Sequence, residues 1–176
     1  MAKSILQPLT FLSIAVFTFL ICWLLGVTVS ENTLSVNGTS LIMKAMCISF
    51  LIHGVLFIPS YLFQTEKFYD LTGSVTYVTT IGYVVYEAYQ QTGGLDIRTL
   101  VIAACIMIWT LRLGSFLFWR VLKDGEDKRF RSILPSFTQL FMTWALSAAW
   151  VFIQSLSALV AITVLARVEF GVVGYI

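Results

Sequence analysis

The sequence predicts an all-α fold, a polytopic transmembrane helix bundle of about five spans with its N-terminus in the cytoplasm. Three observations predict it. Of the 176 residues 59% are apolar and 11% charged, against roughly 45–50% and about 25% in soluble domains, which leaves too little polar surface to cover a globule in water. Mean hydropathy is +0.90. The apolar residues also gather into runs of about 20, the length that crosses a hydrocarbon core. A formal charge of +2 excludes nucleic acid as an evident partner. No Pro-rich, Gly/Ser-rich or repeated segment marks a linker, so residues 1–176 read as one transmembrane domain.

The first span covers residues 8–29 and carries no charge. It is too long for a signal-peptide core, and Cys22-Trp23-Leu24-Leu25 offers no small-residue cleavage site. Pro8 is tolerated in its opening turn. Residues 30–40, rich in Asn, Ser, Thr and Gly, form a loop holding the sequon Asn37-Gly38-Thr39. The second span, 41–63, has Lys44 near its start and His53 in its middle, and Pro59 is expected to kink its last turns. The third, 71–89, holds Thr72, Ser74, Thr76, Thr79 and Thr80, which suits a bundle interior better than a lipid-facing surface. The fourth, 99–119, is apolar except for Arg112. A loop over 120–131 follows with five basic and three acidic residues. The fifth span occupies 136–156, and residues 157–176 either extend it or begin a sixth.

Lys and Arg placement sets the orientation. Five spans put Lys3, Lys67, Arg120, Lys123, Lys128, Arg129 and Arg131 on one face, and Lys44, Arg98 and Arg167 on the other. The first face is therefore cytoplasmic. Cys22, Cys47 and Cys105 all fall inside spans and read as small apolar side chains, with neither a disulfide nor a metal site expected.

Polar groups at membrane depth need a reason. Arg112 lies eight residues before Arg120, ~12 Å inside the bilayer at the helical rise, and is expected to face the bundle interior and bind an acid, carbonyls or a ligand phosphate. The same arithmetic puts Tyr77 at ~10 Å and His53 at ~15 Å, with Trp144 at a similar level. A pocket open to the cytoplasm would gather all four. Tyr77 can donate a proton and His53 can exchange one; the simpler role for His53 is a hydrogen bond within the bundle. Asp70, Gly73, Tyr77 and Thr80 share one helix face, which lines either a cavity or a helix contact. The charged loop is either a positive-inside anchor or a phosphate site in which Asp127 orients arginines and Gly125 turns the backbone. No GxGxxG or P-loop pattern is present, which excludes a soluble-type dinucleotide fold.

Trp109-Thr-Leu-Arg112-Leu-Gly114, then Arg120, then Gly125-Glu-Asp127-Lys-Arg129-Phe130 resembles the middle signature of an uncharacterised membrane protein family related to the steroid 5-alpha-reductases. Glu66-Lys67-Phe-Tyr-Asp70-Leu-Thr-Gly73-Ser74 is similar to that family's entry into its third span. The resemblance implies an all-helical membrane reductase that takes NADPH from the cytoplasm and reduces a double bond in a sterol or other lipid. It makes Arg112, Arg120, Asp127 and Arg129 candidates for cofactor binding and Asp70 and Tyr77 candidates for lining the pocket; the depth arithmetic adds Tyr77 and His53 as candidates for catalysis and Trp144 for the substrate pocket. Two departures stand against it. The family often has Gln-Gly ahead of a Trp and Leu-Pro after it, where this chain has Ser147-Ala-Ala-Trp150 and Leu156-Ser157. The family also continues into an Arg/His/Pro/Asn/Tyr-rich segment that helps hold the cofactor, so the expectation is a reductase without its C-terminal portion. The alternative is a non-catalytic scaffold or accessory subunit that retains the fold and serves a membrane protein partner. The expected membrane is the endoplasmic reticulum in a eukaryote or the inner membrane in a bacterium.

Overall fold

A computed structural model describes residues 2–165, with side chains from Leu6 onward. Five long helices account for most of it: α1 (Ala2–Val29), α2 (Leu41–Leu62), α3 (Tyr69–Thr92), α4 (Ile97–Asp124) and α5 (Phe137–Thr163). Between α1 and α2 lies a small antiparallel hairpin of β1 (Ser35–Val36) and β2 (Thr39–Ser40), and a 3-10 turn (Lys128–Ser132) precedes α5. The predicted all-α bundle is the fold that forms. α4 runs past the expected end at Trp119 and carries Arg120, Lys123 and Asp124 on its final turns. α5 is continuous through Thr163, so residues 157–163 extend the fifth helix. The question of a sixth span, and Arg167 with it, lies outside the described residues.

Four helices are long and apolar enough to cross a membrane: α1 from Leu6, α2, α4 and α5. α3 has the length, with 24 residues or ~36 Å of rise, but not the apolarity. Its hydroxyls explain how it is nevertheless buried among the others. Thr72 donates to Phe68 O at 2.7 Å, Thr76 to Thr72 O at 2.8 Å, and Thr80 to Thr76 O. Each polar group thus closes on the helix's own backbone and needs no water. The bundle interior expected for this helix is where Thr72, Thr76, Tyr77, Thr80 and Ile81 lie.

α2 and α5 form the centre. Ile42, Met46, Ile81, Val84, Phe152 and Leu159 belong to one buried apolar cluster, and Phe57, Phe130, Leu140 and Trp144 to a second. Ser49 Oγ donates to Ala148 O at 2.8 Å across the α2–α5 contact. α3 and α4 meet at Gly114, where an added Cβ would come within 2.6 Å of Ser74 Cβ. Only a residue without a side chain lets these two backbones approach so closely.

The connections sort the bundle into two ends. At one end Asn37 (φ 54°) and Gly38 (φ 74°) turn the hairpin in the left-handed region that a two-residue type I′ turn requires. There Leu34 N–H donates to Thr163 O at 2.8 Å, and Leu165 N–H to Asn32 O at 3.0 Å. At the opposite end the α2–α3 connection meets the loop after α4. Ser40, Asp96 and Ser136 cap the N-termini of α2, α4 and α5 with side-chain oxygens.

Candidate functional site

The charged loop after α4 has a defined conformation, built from three carboxylates. α4 stops at Gly125, whose φ of 83° leaves the helical region. Glu66, buried in the α2–α3 connection, accepts the Asp127 N–H at 2.9 Å and ties the loop to the body of the bundle. Asp127 in turn accepts the Arg129 N–H and Arg129 Nε, both at 3.0 Å. Glu126 holds Arg131. Arg120 Nη2 lies 3.6 Å from Asp70 Oδ2 on α3. Arg120, Asp124, Glu126, Asp127, Lys128 and Arg129 line an open cavity of about 770 Å³ here.

The hydrogen bonds from Arg129 hold the Asp127 carboxyl below its ordinary value of 3.8. A carboxylate depressed in the folded state stabilises above its unfolded value and loses that contribution as pH falls through the folded one. The Arg129 Nε–H resonance is therefore expected to stay in place from about pH 8 to about pH 5 and to move only in stronger acid. A shift near neutrality would show that this pair does not order the loop.

Deeper, α3, α4 and α5 leave a groove of about 430 Å³. Asp70, Tyr77, Trp109, Ser147, Trp150 and Gln154 are among the residues that line it. The Tyr77 hydroxyl donates to Gln154 Oε1, and its ring meets Trp109 edge-on at 5.3 Å. Asp70 belongs to this groove while its partner Arg120 belongs to the loop cavity. The ion pair between them is where a polar mouth adjoins an apolar channel.

Apart from Arg112, the predicted residues divide into three groups. Arg120, Asp127 and Arg129 come together at the mouth, and Asp70, Gly73 and Tyr77 share the groove wall. His53 and Trp144 lie together behind that wall with ring centroids 6.0 Å apart, Trp144 against Tyr69 at 5.3 Å. Because Ser49 O can only accept, His53 Nδ1 carries the proton and donates at 2.9 Å. Nε2 then accepts from Ser147 Oγ at 3.1 Å. Both ring nitrogens are thus hydrogen-bonded inside the bundle. Arg112 is a correction. Its side chain is exposed on the outer surface of α4 and lines neither cavity. Depth along a helix does not fix azimuth, and Thr110 and Gly114, each two residues away, take the inward side. Cys47 and Cys105 also face outward, and only Cys22 is buried.

Two functional candidates escaped the sequence reading. Gln154 is an amide inside an apolar helix of 27 residues without a charge, and that isolation was the available signal. Glu66 stood in a recognised motif, but its role as a backbone acceptor depends on a loop 61 residues away.

The sequence pattern of a family described as "Protein of unknown function (DUF1295)" matches residues 56–176. The mouth and the groove both fall within that stretch, whereas α1, the hairpin and His53 precede it. No curated protein and no solved structure matches the chain.

Proposed function

Since the chain belongs to the DUF1295 family, we propose that it is a membrane-embedded oxidoreductase that uses NADPH to reduce a carbon–carbon double bond in a sterol or other lipid. The observation that carries this reading is the adjoining of the two cavities through Asp70 and Arg120. One is charged and lies at the bundle end richest in cations; the other is mostly apolar and open along the membrane-embedded helices. A reaction between a water-soluble phosphorylated cofactor and a lipid needs that junction.

The mouth fits a phosphate-bearing group. Lys128 has no ion pair among the described residues, and Arg129 exposes its guanidinium edge while Asp127 fixes its orientation. Arg120 is only loosely paired and about half exposed. Bound there, NADPH would supply a hydride. The chain's own residues would do the rest. Arg120, Lys128 and Arg129 would hold phosphate, Glu66 and Asp127 would fix the loop, and the groove would align the lipid and exclude water. The Tyr77 hydroxyl, oriented by Gln154, would hold the proton.

Purified protein in detergent is expected to bind NADPH in the micromolar range. Arg129→Ala and Lys128→Ala should each weaken binding about tenfold, or about 1.4 kcal/mol. Tyr77→Phe should leave binding intact and abolish NADPH oxidation by an accepted lipid. Absence of NADPH binding by the folded wild-type chain would overturn the cofactor assignment and favour the scaffold reading.

A further inference from the structure

Among the described residues, α4 presents one face to the bundle and nothing covers the other. Thr99, Thr110, Gly114 and Val121 are its buried residues. On the opposite side Val101, Ala104, Ile108, Leu111 and Ser115 are all exposed. Their spacing of 3, 4, 3 and 4 is that of the seam where two helices pack along each other. Cys105, Arg112 and Trp119, each exposed and seven residues apart, flank the seam on one side. Ala104 and Ser115 are small residues of the kind that let a second backbone come close. Lipid accounts for Ile108 and Leu111 as well as a protein would.

Lipid does not account for Arg112. Its side chain forms no ion pair among the described residues. It lies eight residues from Arg120 at the charged end, ~12 Å along the helix, and fourteen residues from Arg98 at the other end, ~21 Å. A long side chain recovers part of the shorter distance by reaching toward the surface, but headgroup phosphates remain beyond it. An ionised guanidinium at this depth calls for a carboxylate beside it.

We propose that this face of α4 docks a transmembrane helix of another protein, one that carries an Asp or Glu at the depth of Arg112. Charge complementarity sets the occupant's chemistry, and the seam sets its form. A second copy of this chain does not meet the requirement. Two copies related by an axis along the membrane normal would bring Arg112 to the level of Arg112, and the acids of α4 and its cap, Asp96 and Asp124, lie at the helix ends. The inference is independent of the reductase reading, because Arg112 lines neither cavity.

The probe is a synthetic Leu/Ala transmembrane helix with one central Glu, beside the same peptide with Gln. The full chain carries a donor dye at Ser35→Cys, on the exposed side of the hairpin, with Cys47→Ser and Cys105→Ser removing the other outward thiols. Energy transfer to acceptor-labelled peptide is read in neutral-lipid vesicles. The Glu peptide is expected to associate at least about tenfold more tightly than the Gln peptide, and Arg112→Leu should erase that preference while Arg112→Lys keeps most of it. Arg112→Leu removes a charge from an apolar surface, so it should fold as well as the wild type. Equal binding of the two peptides would overturn the proposal. So would a Glu preference that survives Arg112→Leu, which would place the contact elsewhere. Loss of the preference on adding anionic phospholipid would assign Arg112 to lipid phosphate and overturn it equally.

Discussion

Gly114→Ala is expected to part α3 from α4 and to lower stability in detergent by about 1–3 kcal/mol, the usual range for overpacking a filled contact. The new methyl carbon would sit 2.6 Å from Ser74 Cβ and closer still to Ser74 Oγ, which no rotamer of the serine relieves completely. Intrinsic helix propensity works the other way, since alanine favours an exposed helix over glycine by about 1 kcal/mol. A net loss would therefore isolate the steric effect. Thermal unfolding of the purified chain checks it, and Ser74→Gly in the same chain should restore most of the loss, because the two positions are directly coupled. Gly73→Ala is the control, with open space around its Cβ position. If Gly114→Ala melts like wild type, the close approach of these helices is not a constraint on the fold.

The second large effect is expected at Glu66. Removing its carboxylate with Glu66→Ala leaves the Asp127 N–H without its acceptor and detaches the loop from the α2–α3 connection. Hydrogen bonds to charged groups contribute about 1.5–3 kcal/mol, so a loop held mainly by this bond should open often. Tryptic cleavage at Lys128, Arg129 and Arg131 should accelerate about tenfold or more, and any NADPH affinity should fall with it. Glu66→Gln retains an acceptor oxygen and should behave nearly as wild type. Equal cleavage of Glu66→Ala and wild type would show that the loop takes its shape without this anchor.

The apolar helices were legible because lipid imposes one demand on all of them, a long and mostly apolar run, and α1, α2, α4 and α5 meet it in plain view. α3 was harder. Its threonines read as polar side chains needing partners, and composition does not show that Thr72, Thr76 and Thr80 turn back onto their own helix. Arg112 shows the limit of depth arithmetic most clearly. Eight residues from Arg120 fix how far it lies from the surface, yet the direction it faces follows from which neighbours α3 takes, and those were Thr110 and Gly114. At the mouth, the arginines and Asp127 were recognisable from the motif. Their pairing was not, because Glu66, Asp70 and Asp127 come from different segments and meet only when α3 and α4 are side by side.

The fastening of the hairpin has a consequence for biosynthesis. Leu34 finds its acceptor on Thr163, and Thr33 bridges to Val164, so a loop among the first to emerge from the ribosome is completed by residues made about 130 positions later. α1 likewise packs chiefly against α5 in the finished bundle. Until the fifth helix enters the bilayer, the hairpin lacks its backbone partners on α5 and α1 lacks its main neighbour, and the nascent chain holds α1 only by lipid and by its smaller contact with α2. Assembly of this protein is thus set by its last described helix, and a chaperone or insertase that shelters α1 during that interval would act on a surface that disappears once folding ends.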